Sequence, residues 1–174
     1  MKELAGQVAK KIELAAELLM QAKHPVVLTG AGISTPSGIP DFRSEGTGLW
    51  AKSEAMEVAS LSSFRYKPLR FYNWFRPLAN KIINATPNTA HVALAELENA
   101  GHLDAVITQN IDVLHQKAGS KNVIEMHGTL RTLSCTQCFH QFESALFLKS
   151  FVEDKTVPYC PDCNAILKPD VILF

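Results

Sequence analysis

The chain has 174 residues, 47% of them hydrophobic, enough for one ordinary core or two small modules and too apolar for a disordered chain. Seventeen basic residues balance seventeen acidic ones, so no whole-chain field draws it to nucleic acid or an anionic membrane. The opening MKELAGQVAKKIELAAELLM is too interrupted by charge for a secretory signal, and no uncharged apolar run reaches membrane-spanning length, so a cytoplasmic protein is expected.

Leu4, Val8, Ile12, Ala15, Leu18 and Leu19 recur at helical spacing and predict an amphipathic helix over about 2–22. Pro25 breaks it, and Val26, Val27 and Leu28 read as a buried strand ending in the turn Thr29-Gly30-Ala31-Gly32. The polar stretch from Ser34 to Gly48 reads as a long loop, a length that in compact proteins is usually functional or disordered. The aromatic run Phe64 to Phe75 is expected to be helical. Pro87 opens a further helix with Val92, Leu94, Ala95 and Leu97 on its apolar face, closed by Gly101. Ala105 to Thr108 is a second strand, Val113 to Ala118 a short helix capped by Gly119, and Val123 to Met126 a third strand. This alternation gives an α/β fold with a parallel sheet covered on both faces, interrupted by insertions around 46–84 and 129–166.

Four cysteines form two CxxC pairs, Cys135/Cys138 and Cys160/Cys163, separated by twenty-one residues. Each CxxC turn brings two thiolates together, and two turns complete the tetrahedron that Zn2+ accepts. Four protein thiolates leave no position for water or substrate, so the metal is expected to be structural. Gly30-x-Gly32 after a strand resembles a dinucleotide fingerprint, but Thr35 stands where the third glycine belongs and no acidic residue lies at the usual ribose distance. By itself the segment fits a phosphate-binding turn and a plain strand-to-helix turn equally well.

Taken together, Gly30-Ala31-Gly32-Ile33-Ser34, Gly38-Ile39-Pro40-Asp41-Phe42-Arg43, Thr108-Gln109-Asn110-Ile111-Asp112, and His127-Gly128 followed by the two CxxC pairs resemble the sirtuin family, in the family's order and over about 26–174. The resemblance implies a Rossmann-like NAD-binding domain, here 1–45, 85–128 and 167–174, with a smaller domain made of a helical module (46–84) and a zinc-ribbon module (129–166). It further implies an NAD-dependent protein-lysine deacetylase that releases nicotinamide and O-acyl-ADP-ribose. Ala31, Gly32 and Thr35 would hold the NAD phosphates and adjoining ribose. Asp41 would join the cofactor set, Phe42 would shield the reacting ribose carbon and Arg43 would add a cation. Asn110, Ile111 and Asp112 would form the nicotinamide pocket, Gln109 would meet the ribose hydroxyls, and His127, as general base, and Asn110 would be the catalytic residues. Tyr72, Ile172 and Phe174 would meet the acyl-lysine of an acetylated protein or peptide.

Each residue also has a plainer role open to it. His127 fits a core histidine at a strand end, Asp112 a helix cap, Asp41 a brace for its own turn and Arg43 a solvated charge. In relatives that prefer acidic acyl groups a tyrosine is followed three residues later by an arginine; here Tyr72 is followed at that spacing by Phe75, and Arg76 lies about 100° further around a helix. A neutral acyl group is therefore expected over succinyl or malonyl, because an apolar wall does not compensate a buried carboxylate. The final run Lys168 to Phe174 precedes, in the family, further strands and the motifs that bind the adenosine half of NAD. A truncated chain is therefore expected, and the alternative function is a non-catalytic zinc-binding interaction module. Nucleic-acid binding is disfavoured, because Cys135 to Cys163 carries only Lys149 and Lys155 against Glu143, Glu153, Asp154 and Asp162.

Overall fold

The computed structural model describes residues 2–41 and 57–173. Phe42, Arg43 and Phe174, all named above, lie outside the described residues. Helix α1 (Lys2–Gln21) precedes strand β1 (Val26–Thr29), which runs through Gly30 into a 3-10 turn over Ala31–Ser37. The long loop expected from Ser34 is thus partly ordered as that turn, and Gly38 closes it at φ +85° with its N–H on the carbonyls of Ser34 and Thr35. Val8, Ile12 and Leu18 of α1 are exposed, so its apolar stripe finds no cover among the described residues.

The aromatic run is two helices, α2 (Leu61–Tyr66) and α3 (Pro68–Asn84). The break comes from Pro68, which pushes Lys67 out of the helical region to φ −138°, ψ 57°. On α3, Phe71, Tyr72, Phe75, Leu78, Ala79 and Ile82 are buried, one stripe at the 3.6-residue period. Helix α4 (Thr89–Asn99) begins one residue after the N-cap Asn88, whose side chain accepts from Ala90 N–H while its own N–H donates to His91 Nδ1. On α4, Ala95 is buried as expected and Leu94 and Leu97 are half-buried, but Val92 is exposed and His91 is buried in its stead, because the helix turns His91 toward His115. Strand β2 (Ala105–Thr108), helix α5 (Leu114–Ala118) and strand β3 (Val123–Glu125) follow. Gly101 (φ +78°) and Gly119 (φ +106°) end their helices in the left-handed region that glycine enters without strain.

Strands β1, β2 and β3 form a parallel sheet in that order, with Thr29, Thr108 and Glu125 in register at its C-terminal edge. A second, antiparallel sheet orders β5 (Gln141–Glu143), β4 (Gly128–Cys135) and β6 (Leu167–Val171), with α6 (Ala145–Val152) beside it. Residues 167–171 thus pair with β4 and not with the parallel sheet, and the strand ends at Val171. Pro169 is tolerated in β6 because it is an edge strand. The main core joins α2, α3 and α6 through aromatic rings: Phe71 meets Phe64 edge-on at 5.2 Å and stacks on Phe75 at 5.5 Å, and Tyr72 meets Phe151 at 5.4 Å. Among the described residues no helix is long and apolar enough to cross a membrane.

Candidate active site

Parallel sheets present ligands at the carboxyl ends of their strands. Here that edge carries the turn after Thr29, the segment Gln109–Asp112 after Thr108, and His127 two residues after Glu125. The first two are joined by one buried network. Asn110 Nδ2 donates to the Gly30 carbonyl at 3.1 Å and to Ser34 Oγ at 3.1 Å, and Ser34 Oγ donates to Asp112 Oδ2 at 2.6 Å. Asp112 Oδ1 accepts the Leu114 N–H at 2.9 Å, so the carboxylate also caps α5, and Thr108 Oγ1 accepts the Asn110 N–H at 3.0 Å. Ser34, Asn110 and Asp112 are all buried, so each fixes the others' rotamers.

Beneath this network His91 and His115 lie fully buried with ring centroids 4.9 Å apart. His115 Nε2 is 2.9 Å from Thr29 Oγ1. Burial pushes both imidazoles below their ordinary pKa; His91 adds to the effect on His115, while Asp112 pulls both the other way.

His127 sits where β3 hands over to β4. Its Nδ1 lies 3.0 Å from the Gln109 carbonyl oxygen, which only accepts, so Nδ1 carries a proton and donates it to that oxygen. The imidazole borders a cavity of about 80 Å³ walled by Phe71, Trp74, Phe75, Ile111 and Ile172. A neighbouring cavity of about 30 Å³ is bordered by Ala31, Ser34, Asn110, Ile111 and Asp112. Leu78 and Ile111 line both, so the two spaces share one wall. A third cavity, of about 350 Å³ between α3 and α6, is walled mostly by hydrocarbon and also borders Asp112, Lys117 and Arg131. The chemistry-bearing residues concentrate in the two smaller spaces.

Tyr72 does not border the His127 cavity. It faces the cavity between α3 and α6, its ring is buried, and its hydroxyl donates to the Leu167 carbonyl. Phe71, Trp74 and Phe75 supply the wall instead, one residue before Tyr72 and two and three residues after it. Arg76 is drawn away onto α6, donating to the carbonyls of Phe151 at 2.9 Å and Lys155 at 3.0 Å. Thr35 is exposed and its hydroxyl donates to the Gly32 carbonyl at 3.0 Å, within its own turn. Asp41 is half-buried beside Pro40, a residue of the smaller cavity's wall. Ser34 is the buried centre of the network and was absent from the sequence-derived site. Its only signal was membership of the Gly30-Ala31-Gly32-Ile33-Ser34 run.

The four cysteine sulfurs lie within 4.8 Å of one another and none is in a disulfide. Cys135 and Cys163 are 3.4 Å apart and Cys138 and Cys160 3.6 Å, close to the roughly 3.8 Å edge of a tetrahedron with ~2.3 Å zinc–sulfur bonds. Burial opposes ionisation of Cys135, but the N–H groups of Cys138 and Gln137 and the neighbouring thiols outweigh it and bring the thiol down to about 6. The donor set fits zinc.

Comparison with known proteins agrees with this geometry. The chain is 47% identical over 165 residues to an NAD-dependent protein deacylase 2 of Archaeoglobus fulgidus, which covers 94% of this chain and 64% of that protein. It is also 47% identical over 160 residues to an NAD-dependent protein deacetylase 2 of Caldanaerobacter subterraneus, covering 92% of this chain and 64% of that protein. A solved structure of Sir2 with p53 peptide and NAD+ superposes with a TM-score of 0.81 at 40% identity, over 94% of this chain and 64% of that one. The chain therefore spans a little under two thirds of these relatives. The sequence profile of the Sir2 family matches residues 30–174, and on that match and these identities the chain belongs to the Sir2 family, the sirtuins.

Proposed function

We propose that this chain carries the acyl-transfer site of a cytoplasmic NAD-dependent protein-lysine deacylase, acting on acetyl or another neutral acyl group. One observation supports this above the others: an Nδ1-anchored imidazole opens onto a cavity that shares a wall with the pocket of Asn110, Asp112 and Ala31.

NAD fits the residues present. Among the described residues a Cβ at Gly30 or Gly32 would meet nothing within 4 Å, which leaves phosphate oxygens room to approach the backbone of the turn at Ala31, Gly32 and Thr35. Asn110 and Asp112 direct an amide and a carboxylate at the smaller cavity, suited to the carboxamide of nicotinamide, with Ile111 against the ring. When bound, NAD supplies the ribose that receives the acyl group as nicotinamide leaves. Asp41, Phe42 and Arg43 complete the cofactor set in this reading, Phe42 as the ring that excludes water.

The protein's own contribution is positional and electrostatic. His127 takes a ribose hydroxyl proton at Nε2, and the Gln109 carbonyl steadies the ring as it becomes charged. The Asn110–Ser34–Asp112 network keeps the pocket's polar groups from swinging into solvent. The wall of Phe71, Trp74 and Phe75 excludes water from the acyl-lysine and offers no cation to an acidic acyl group. Ile172 borders the same space; Phe174 extends that set in this reading, whereas Tyr72 becomes a brace between α3 and β6. The zinc cluster performs no chemistry and pins β4 to the second knuckle. Residues 46–84 and 129–166 then act as one small domain through the α2–α3–α6 aromatic core.

An NAD titration of the polypeptide, then nicotinamide release with paired acetylated and succinylated versions of one lysine peptide, tests the reading. Saturable NAD binding and preference for the acetyl peptide are expected. Absence of NAD binding would return the chain to a zinc-binding interaction module, and faster desuccinylation would overturn the neutral-acyl assignment.

A further inference from the structure

His127 stands at a junction between two sheets. Strand β3 ends at Glu125 and β4 begins at Gly128, so only Met126 and His127 join the parallel sheet to the antiparallel one. The backbone is pinned on each side of the imidazole. Met126 N–H donates to the Thr108 carbonyl of the first sheet at 2.8 Å, and the His127 carbonyl accepts the Ile172 N–H, beside the second, at 2.9 Å.

One ion pair bridges this junction from sheet to sheet. Arg131 Nη2, on β4, lies 2.7 Å from Glu125 Oε2, on β3. Arg131 Nε and N–H both donate to Thr129 Oγ1 at 3.2 Å, which orients the guanidinium toward the junction. The Glu125 side chain is only 9% exposed, and its other oxygen, Oε1, is buried without a hydrogen-bond partner among the described residues. A carboxylate taken out of water with half its acceptors unmet is a poor stabiliser, and an apolar or amide side chain would lower that desolvation cost.

From this geometry we infer that Glu125 is a positioning residue for His127, and that the Glu125–Arg131 clasp sets the angle at which β4 leaves β3 and so holds the imidazole in register with the Gln109 carbonyl. The inference rests on the deacylase reading of His127. Glu125 contacts no reacting atom. It acts through the strand crossing, which would otherwise pivot about Met126 and His127.

The test is the long-range proton–nitrogen spectrum of the 15N-histidine-labelled protein, with the His127 signals assigned by their loss in His127→Ala. The expected wild-type pattern is a neutral ring protonated at Nδ1. In Glu125→Gln and in Arg131→Met the expected result is averaging between the two tautomers, and Arg131→Lys should restore the single pattern. In a nicotinamide-release assay the first two variants should lower kcat about tenfold and leave KM within twofold, the size of effect expected from a misaligned base. The thermal unfolding midpoint and zinc content serve as controls for misfolding. An unchanged His127 pattern in Glu125→Gln overturns the positioning role and leaves the deacylase reading standing. A wild-type ring protonated at Nε2 instead overturns the general-base assignment itself.

Discussion

The left-handed positions carry much of the site's geometry, and they differ in what they tolerate. Gly128 has φ +80°, and a Cβ there would overlap the Asp170 carbonyl, so both the conformation and the space demand glycine directly after His127. Gly101 has φ +78° with nothing within 4 Å of an added Cβ. Gly101→Ala should therefore cost about 1 kcal/mol of left-handed strain, whereas Gly128→Ala should cost upward of ~3 kcal/mol by adding a clash with rigid backbone. Urea unfolding of the two variants checks this; equal losses would mean that β6 yields easily. Tyr72 poses a second question at this scale. Its buried hydroxyl is bonded to the Leu167 carbonyl, so Tyr72→Phe should destabilise by about 1–2 kcal/mol and leave the ratio of deacetylation to desuccinylation unchanged. A changed ratio would restore Tyr72 to the acyl site.

Among the elements, the two cysteine knuckles are built alike. Each ends in a left-handed residue directly after its second cysteine, Phe139 at φ +61° and Asn164 at φ +58°. Asparagine enters that region readily and phenylalanine does not, and Phe139 is 81% exposed, so little burial offsets its strain. Phe139→Asn should raise stability by about 0.5–1 kcal/mol with zinc stoichiometry unchanged; a lower melting temperature would show that the Phe139 ring is covered in the native protein. Local signals of this kind were readable in advance. Strand β2, the glycines ending α4 and α5, and the cysteine set follow from short-range pattern and chemistry. The burial of His91 in place of Val92 on α4 was not readable, because a histidine pair assembled from two helices decides it and helical periodicity favours Val92. The antiparallel sheet was equally hidden: its register pairs Leu133 with Pro169, across a span that no local periodicity encodes. Ser34 and the wall of the His127 cavity were missed for the same reason, since both depend on which turn of a neighbouring element faces inward.

On the scale of the molecule, the buried histidine pair joining α4 to α5 sets a pH response. Burial holds His91 and His115 below their ordinary pKa, so the unfolded chain, titrating both near ~6.5, binds more protons than the folded one as pH falls past that value. Stability from this source is complete above the unfolded value and is lost progressively toward acid. The urea midpoint should be lower at pH 5.5 than at pH 7.5, and His91→Gln with His115→Gln should reduce the difference; a wild-type midpoint flat across that interval would contradict the sign.

The proposed function requires one crevice in which His127, Asn110, Asp112 and the glycine turn act on a shared substrate pair. The most direct test incubates the protein with NAD and a lysine peptide bearing a 13C-labelled acetyl group, and follows the label by mass spectrometry. Label on ADP-ribose, lost by at least a hundredfold in His127→Ala, is the predicted result. Label released as free acetate without nicotinamide, or transfer that persists in His127→Ala, would contradict it.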